Sequence, residues 1–302
     1  MFVYVLLLAA QIAAAPPGDE TTIPFTYVDN RMVVECKIDG KGPFSMIVDT
    51  GSPTIAITPE TAAKIAVAVR DAGTVTGAGN NTVKNGQAAI ATLSLGKLTF
   101  KRLNADVLDL TQIRTKFHFP HLDGILGYPV LEHYATFVNV DDKTITFAPS
   151  APPIPQNATR THFEGVLPEI HAAIDSIPGK VLVDTGDRSS STLFGPFAKH
   201  YGFFGRFPSK KNIVTGYGLG GPVYADVFRL PSLNVFGMRL TNVVTRASRQ
   251  TGGVFASTTD SASIGTGVLK RFNIVYDYPH QTIVAWPSKY FRTPDAFVPP
   301  GQ

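Results

Sequence analysis

One cysteine, Cys36, stands in 302 residues, so no internal disulfide can form. An exported protein without disulfides must be held by its cores, which suits a bacterial envelope better than a eukaryotic secretory route. Charge is also sparse, at 17% of residues, and the net charge of +4 comes from Lys and Arg scattered along the chain. The longest basic runs are pairs, Lys101-Arg102, Lys210-Lys211 and Lys270-Arg271, so no nucleic-acid partner is expected. Gly-x-Ser-x-Gly does not occur, which leaves a serine hydrolase without its nucleophile elbow. Thr215 to Gly221 is glycine-rich, yet no strand-loop-helix frame and no Lys-Ser/Thr accompany it, which excludes a phosphate loop. His118 and His121 flank Pro120 with no third ligand pattern nearby, so no metal and no cofactor is expected. Long apolar runs are missing beyond Met1 to Ala15. Its apolar residues fall short of the ~20 that span a bilayer. The small residues before Pro16-Pro17 fit a signal peptide over residues 1–15. Export to the periplasm or the medium is the expectation, with a membrane-anchored form if the segment is not cleaved.

What is present is turn chemistry. With 27 Gly, 23 Pro and 44% hydrophobic residues, the composition favours short strands over long helices, and the length allows two domains. Met32 to Ile38 alternates, Asp39-Gly40-Lys41-Gly42 turns, and Phe44 to Val48 delivers Asp49 at a strand end. Thr58-Pro59 reads as the cap and first residue of a short helix. Cys36 lies in an alternating run where a buried thiol is the ordinary expectation.

The chain then repeats itself. Ile47-Val48-Asp49-Thr50-Gly51-Ser52 returns 135 positions later as Leu182-Val183-Asp184-Thr185-Gly186-Asp187. Val75 to Gly79 is answered by Val214 to Gly218, Ile125-Leu126-Gly127 by Ser263-Ile264-Gly265, and "TFVNVDDKTITFAP" by "NIVYDYPHQTIVAWP". The repeat predicts two similar lobes about an approximate two-fold axis, over residues 22–149 and 161–288. A proline-rich linker over 150–160 would join them, and 289–302 would form a tail.

Such an axis would bring the two Asp-bearing loops together. Two close carboxylates share one proton, so one can take a proton from water while the other donates to a carbonyl oxygen. Gly51 and Gly186 would let the loops approach, Thr50 and Thr185 would bond across the axis, and the Ser52 hydroxyl would reach Asp49. The glycine hairpins, with Gly77 and Gly79 on one and Gly216, Tyr217 and Gly218 on the other, could cover a substrate and exclude water.

On "VDTGS", "VDTGD", the downstream apolar-Gly pairs and the glycine hairpins, the sequence resembles the retropepsin-like and pepsin-like aspartic proteases over Thr22 to Pro287, most closely in the tandem form of exported bacterial aspartyl proteases. The resemblance implies an all-β fold of two small closed β-barrel lobes with few short helices. It also implies an endopeptidase acting on peptide or protein substrates, with Asp49 and Asp184 as the catalytic pair. Carrying both halves of the site, the chain is expected to work as a monomer. Two residues depart from the family pattern: Ser263 replaces an apolar residue, and Asp187 replaces Ser, Thr or Ala. An Asp187 carboxylate aimed at Asp184 would add like charge, whereas one turned outward to Arg188 would change little. The rival reading is a two-lobed peptide- or protein-binding protein whose chemistry is impaired by Asp187.

Overall fold

The computed structural model describes residues 20–297, so the expected signal peptide lies outside the described residues. The first half runs β1 (Thr21–Pro24), β2 (Thr26–Val28), β3 (Arg31–Ile38), β4 (Lys41–Val48), β5 (Ile55–Ile57), α1 (Pro59–Ile65), β6 (Val69–Thr76), β7 (Thr82–Leu95), β8 (Leu98–Val107), α2 (Thr111–Lys116), β9 (Leu122–Leu126), α3 (Tyr128–Leu131), β10 (Ala135–Asn139) and β11 (Thr144–Ala148). The second runs β12 (Thr159–His162), β13 (Glu169–Ile174), β14 (Ile177–Val183), β15 (Ser191–Leu193), α4 (Gly195–His200), β16 (Ser209–Gly218), β17 (Gly221–Val235), β18 (Met238–Ser248), β19 (Ala262–Ile264), α5 (Thr266–Leu269), β20 (Phe272–Asp277) and β21 (Thr282–Pro287).

Local chemistry explains these elements. In β8 the pattern from Leu98 to Leu103 buries Leu98, Phe100 and Leu103 while Thr99 and Lys101 face water. Helix α1 starts where Thr58 accepts from Thr61 N at 3.1 Å and Pro59 fits the first turn, and it stops at Ala66 in the left-handed region. Cys36 is buried in β3, and burial pushes its thiol up to about 12, so it is protonated at neutral pH.

Among the described residues two similar closed barrels do not form; the strands make three sheets. A six-stranded sheet, β1-β11-β10-β20-β21-β12, draws on both halves and is open at both ends. Its centre is the antiparallel pairing of β10 with β20, Ala135 opposite Asp277 and Val138 opposite Ile274. The first-half sheet, β2-β3-β4-β9-β5-β8-β7-β6, has an internal contact of β3 with β7, but neither of its end strands, β2 and β6, closes onto it. The second-half sheet, β13-β14-β19-β15-β18-β17-β16, does close through an end strand, because β13 also pairs with β17, at Ala173 opposite Asn234 and Ile174 opposite Leu233. The closed barrel therefore belongs to the second half alone. The sequence repeat conveys the order of strands, whereas closure depends on how far each end strand reaches around the sheet.

Both motif strands are interior to their sheets, with a paired strand on either side. β4 runs parallel to β9, with Val48 opposite Leu126, and Asp49 N donates to Leu126 O at 2.9 Å. β14 runs parallel to β19, with Val183 opposite Ile264, and Asp184 N donates to Ile264 O at 3.0 Å. The apolar-Gly triplets are thus the strands beside the motifs.

Candidate active site

Each motif loop passes close above the glycine that ends its neighbouring strand. A Cβ on Gly127 would lie 2.4 Å from Ser52 O, and one on Gly265 2.3 Å from Asp187 O. Only glycine admits that approach, which explains the triplets' third residue.

The loops interlock through their threonines. Thr50 N donates to Thr185 Oγ1 and Thr185 N to Thr50 Oγ1, both at 3.0 Å. The hydroxyls pass on to the opposite strand ends, Thr50 Oγ1 to Val183 O and Thr185 Oγ1 to Val48 O, both at 2.7 Å. Both threonines are buried, so these four bonds exclude water and fix the loops about a common axis. Gly51 and Gly186 then face the opposite carboxylates: a Cβ would lie 2.5 Å from Asp184 Cγ and 2.3 Å from Asp49 Cγ, respectively.

Asp49 and Asp184 are hydrogen-bonded to each other and keep a partly exposed edge. Gly51 N donates to Asp49 Oδ1 at 2.8 Å, while Asp184 Oδ1 accepts from Gly186 N at 2.8 Å and Asp187 N at 3.0 Å. Burial raises both acids. For Asp49 the rise is opposed by the Asp184 hydrogen bond, by Gly51 N–H and by the charge of Arg31. For Asp184 the charges of Asp49 and Asp187 add to burial and hold it well above the carboxylate range. Both acids are raised, and the pair titrates as a unit that shares one proton.

The supporting residues depart from expectation at two places. The Ser52 hydroxyl does not reach Asp49; it donates to Thr54 O at 2.9 Å, a bond within its own tight loop. Asp187 turns away from Asp184 but pairs with Arg246, not Arg188: Arg246 Nη2 lies 3.0 and 3.1 Å from its two oxygens. Ser189 N and Oγ donate to Asp187 Oδ1 at 2.9 and 2.8 Å, and Thr192 Oγ1 to Oδ2 at 3.1 Å. Burial opposes ionisation of Asp187, yet Arg246 and the Ser189 donors outweigh it and hold the carboxyl below its ordinary value. Arg188 instead grips Asp29 at the β2–β3 turn, Nε to Oδ1 at 2.7 Å, and Arg31 Nε donates to Gly186 O at 2.8 Å. The guanidinium carbons of Arg31 and Arg188 lie 4.8 and 5.1 Å from the ring centre of Phe117. Asp29, Arg31, Phe117 and Arg246 were not legible as site residues. The one sequence signal was an arginine inside the otherwise uncharged strand run from Val243 to Ser248.

The glycine hairpins meet tip to tip across the two halves. Gly79 N donates to Leu219 O at 2.8 Å and Asn81 N to Gly220 O at 3.1 Å. Asn80 Oδ1 accepts from Thr251 N and Gly252 N at 3.0 and 3.1 Å, and Val254 N donates to Gly77 O at 2.9 Å. Gly77 and Gly79 lie in the first tip, while Gly216, Tyr217 and Gly218 close the strand leading to the second. Tyr217 packs edge-on against Phe117, ring centres 6.2 Å apart. Among the described residues no group of three or more His, Cys, Asp and Glu side chains lies together as a metal site would require.

A family model described as aspartyl protease matches residues 34–130. Comparison with curated proteins finds no match. Among solved structures, the aspartic proteinase from Irpex lacteus superposes with a TM-score of 0.58 at 16% identity, over 92% of this chain and 100% of that one. The chain thus has the pepsin-like fold of the aspartic proteases, at a distant remove from the fungal enzyme.

Proposed function

We infer that the protein is an aspartic endopeptidase in which Asp49 and Asp184 activate water against a peptide bond. The observation that carries this is the reciprocal Thr50–Thr185 lattice, which holds two carboxyls in hydrogen-bond contact at a partly exposed edge. With one proton shared between them, the ionised acid of the pair takes a proton from water and the protonated one donates to the carbonyl oxygen. The resulting tetrahedral carbon collapses with transfer of a proton to the leaving amine. No covalent intermediate is needed.

The substrate is a peptide or unfolded protein, and the two hairpins are suited to enclose an extended segment. The pairing of Asp187 with Arg246 favours activity over the impaired binding reading, because the third carboxylate spends its charge on a cation of its own. We further propose that one chain suffices, since both loops come from it, that residues 22–149 and 161–288 act as its lobes in the retropepsin-like tandem manner, and that the protein is exported. The apolar stretch over residues 1–15 supports export. Fractionation of cells expressing the full chain, with the protein retained in the cytoplasm, would refute that part.

The decisive assay is cleavage of an unfolded protein between about pH 3 and 7, the range open to a shared-proton pair. Asp49→Asn and Asp184→Asn are expected to lower turnover by roughly 100-fold to 10,000-fold with circular dichroism unchanged. Equal turnover by wild type and either variant overturns the reading.

A further inference from the structure

Away from the dyad, a cavity of about 310 Å³ lies between the second motif loop, strands β17 and β18, and the segment from Tyr290 to Phe297. Six charged side chains line it: Asp29, Arg188, Arg246, Lys270, Arg271 and Asp295. Arg188 is matched by Asp29 and Arg246 by Asp187. Lys270 and Arg271 make no ion pair among the described residues, although Arg271 is buried and Lys270, whose Nζ donates to the neutral Asn30 Oδ1 at 3.1 Å, is partly so. Adjacent like charges withdrawn from water are costly unless an anion answers them.

One further observation shows that this wall accommodates acidic oxygens. The wall already holds a carboxylate: Asp295 accepts from Ser190 Oγ at 2.7 Å through Oδ1 and from Val244 N at 2.8 Å through Oδ2. Those bonds use both its oxygens on neutral donors, and leave Lys270 to feel Asp295 only beyond ion-pair range.

We propose that this cavity binds a small anion bearing two or more acidic oxygens, a phosphate or a dicarboxylate, on Lys270 and Arg271 beside Asp295. The cavity shares Asp29, Arg188 and Arg246 with the surroundings of the dyad, but its test does not depend on activity. Titration calorimetry on the full chain, with inorganic phosphate or succinate against a sodium chloride background of matched ionic strength, should show saturable binding of at least one of them. Saturation by phosphate alone assigns phosphoryl groups, and by succinate alone assigns carboxylates. Lys270→Gln should weaken binding roughly tenfold or more, a loss of a charge-assisted contact. Asp295→Asn should tighten it, because the neighbouring like charge is gone. A general loosening of the fold would weaken both. Absence of saturable heat from either anion, or unchanged affinity in Lys270→Gln, overturns the proposal. Should Lys270→Gln fail to fold by circular dichroism, Asp295→Asn decides, and unchanged or weaker binding in that variant overturns it.

Discussion

At Asp187 the chain sets a third carboxylate three positions from Asp184, and Arg246, 59 residues further on, neutralises it. The charge of Asp187 still raises the pair, so removing it has a defined sign. Asp187→Ser is expected to move the alkaline limb of kcat/KM to lower pH, because the pair then loses its shared proton more readily; a pH-rate profile measures this. Arg246→Met strands a buried carboxylate and should cost about 3–5 kcal/mol in a denaturant titration, with much of the loss recovered in the double variant Asp187→Ser/Arg246→Met. An unchanged double-mutant cycle would mean that the two do not interact. Asp187 itself was legible as a residue that needs a partner. Which arginine serves was not, because the alternation of β18 does not say which side chains face inward, and Arg188 was the nearer candidate in sequence.

Between elements, the motif strands, the triplets beside them and the capped helix α1 were readable, since each follows from local pattern: apolar runs, a Gly where backbones cross, Thr-Pro at a helix start. Sheet closure was not, because long-range reach has no local signature. Ser263 shows a pattern residue with a cost. It lies in β19 with its hydroxyl buried and unpartnered, where the equivalent Ile125 in β9 is apolar. Ser263→Ala should stabilise by about 1 kcal/mol, read as a raised denaturation midpoint at unchanged m-value. The hairpin tips set a stricter condition. A Cβ on Gly79 would lie 2.1 Å from the Gly220 carbonyl carbon, so Gly79→Ala should keep the two tips apart. Hydrogen exchange is expected to rise at residues 79–81, while the amides of β8 stay protected. Unaltered exchange at the tips would show that they do not depend on this contact.

For the whole molecule, the dyad makes folding sensitive to pH. The folded acids are raised above their ordinary value of 3.8, so the folded chain holds protons that the unfolded chain has released. Below the unfolded value this costs nothing, and stability then falls as pH rises through the folded values. Asp184→Asn is therefore expected to raise Tm at pH 7 and to lose that advantage near pH 3; an equal gain at both pH values would contradict the raised titration of the pair. The shared six-stranded sheet bears on the molecule's history as one chain. Its outer strands mirror one another, β11 with β21 and β1 with β12, around the β10–β20 seam. Cut at the linker, each piece would expose an unpaired strand edge complementary to the other piece and, by symmetry, to a second copy of itself. Mixing separately produced pieces should thus yield the native heterodimer in competition with homodimers, and joining them in a single polypeptide removes that competition while leaving Ser52 and Asp187 free to differ.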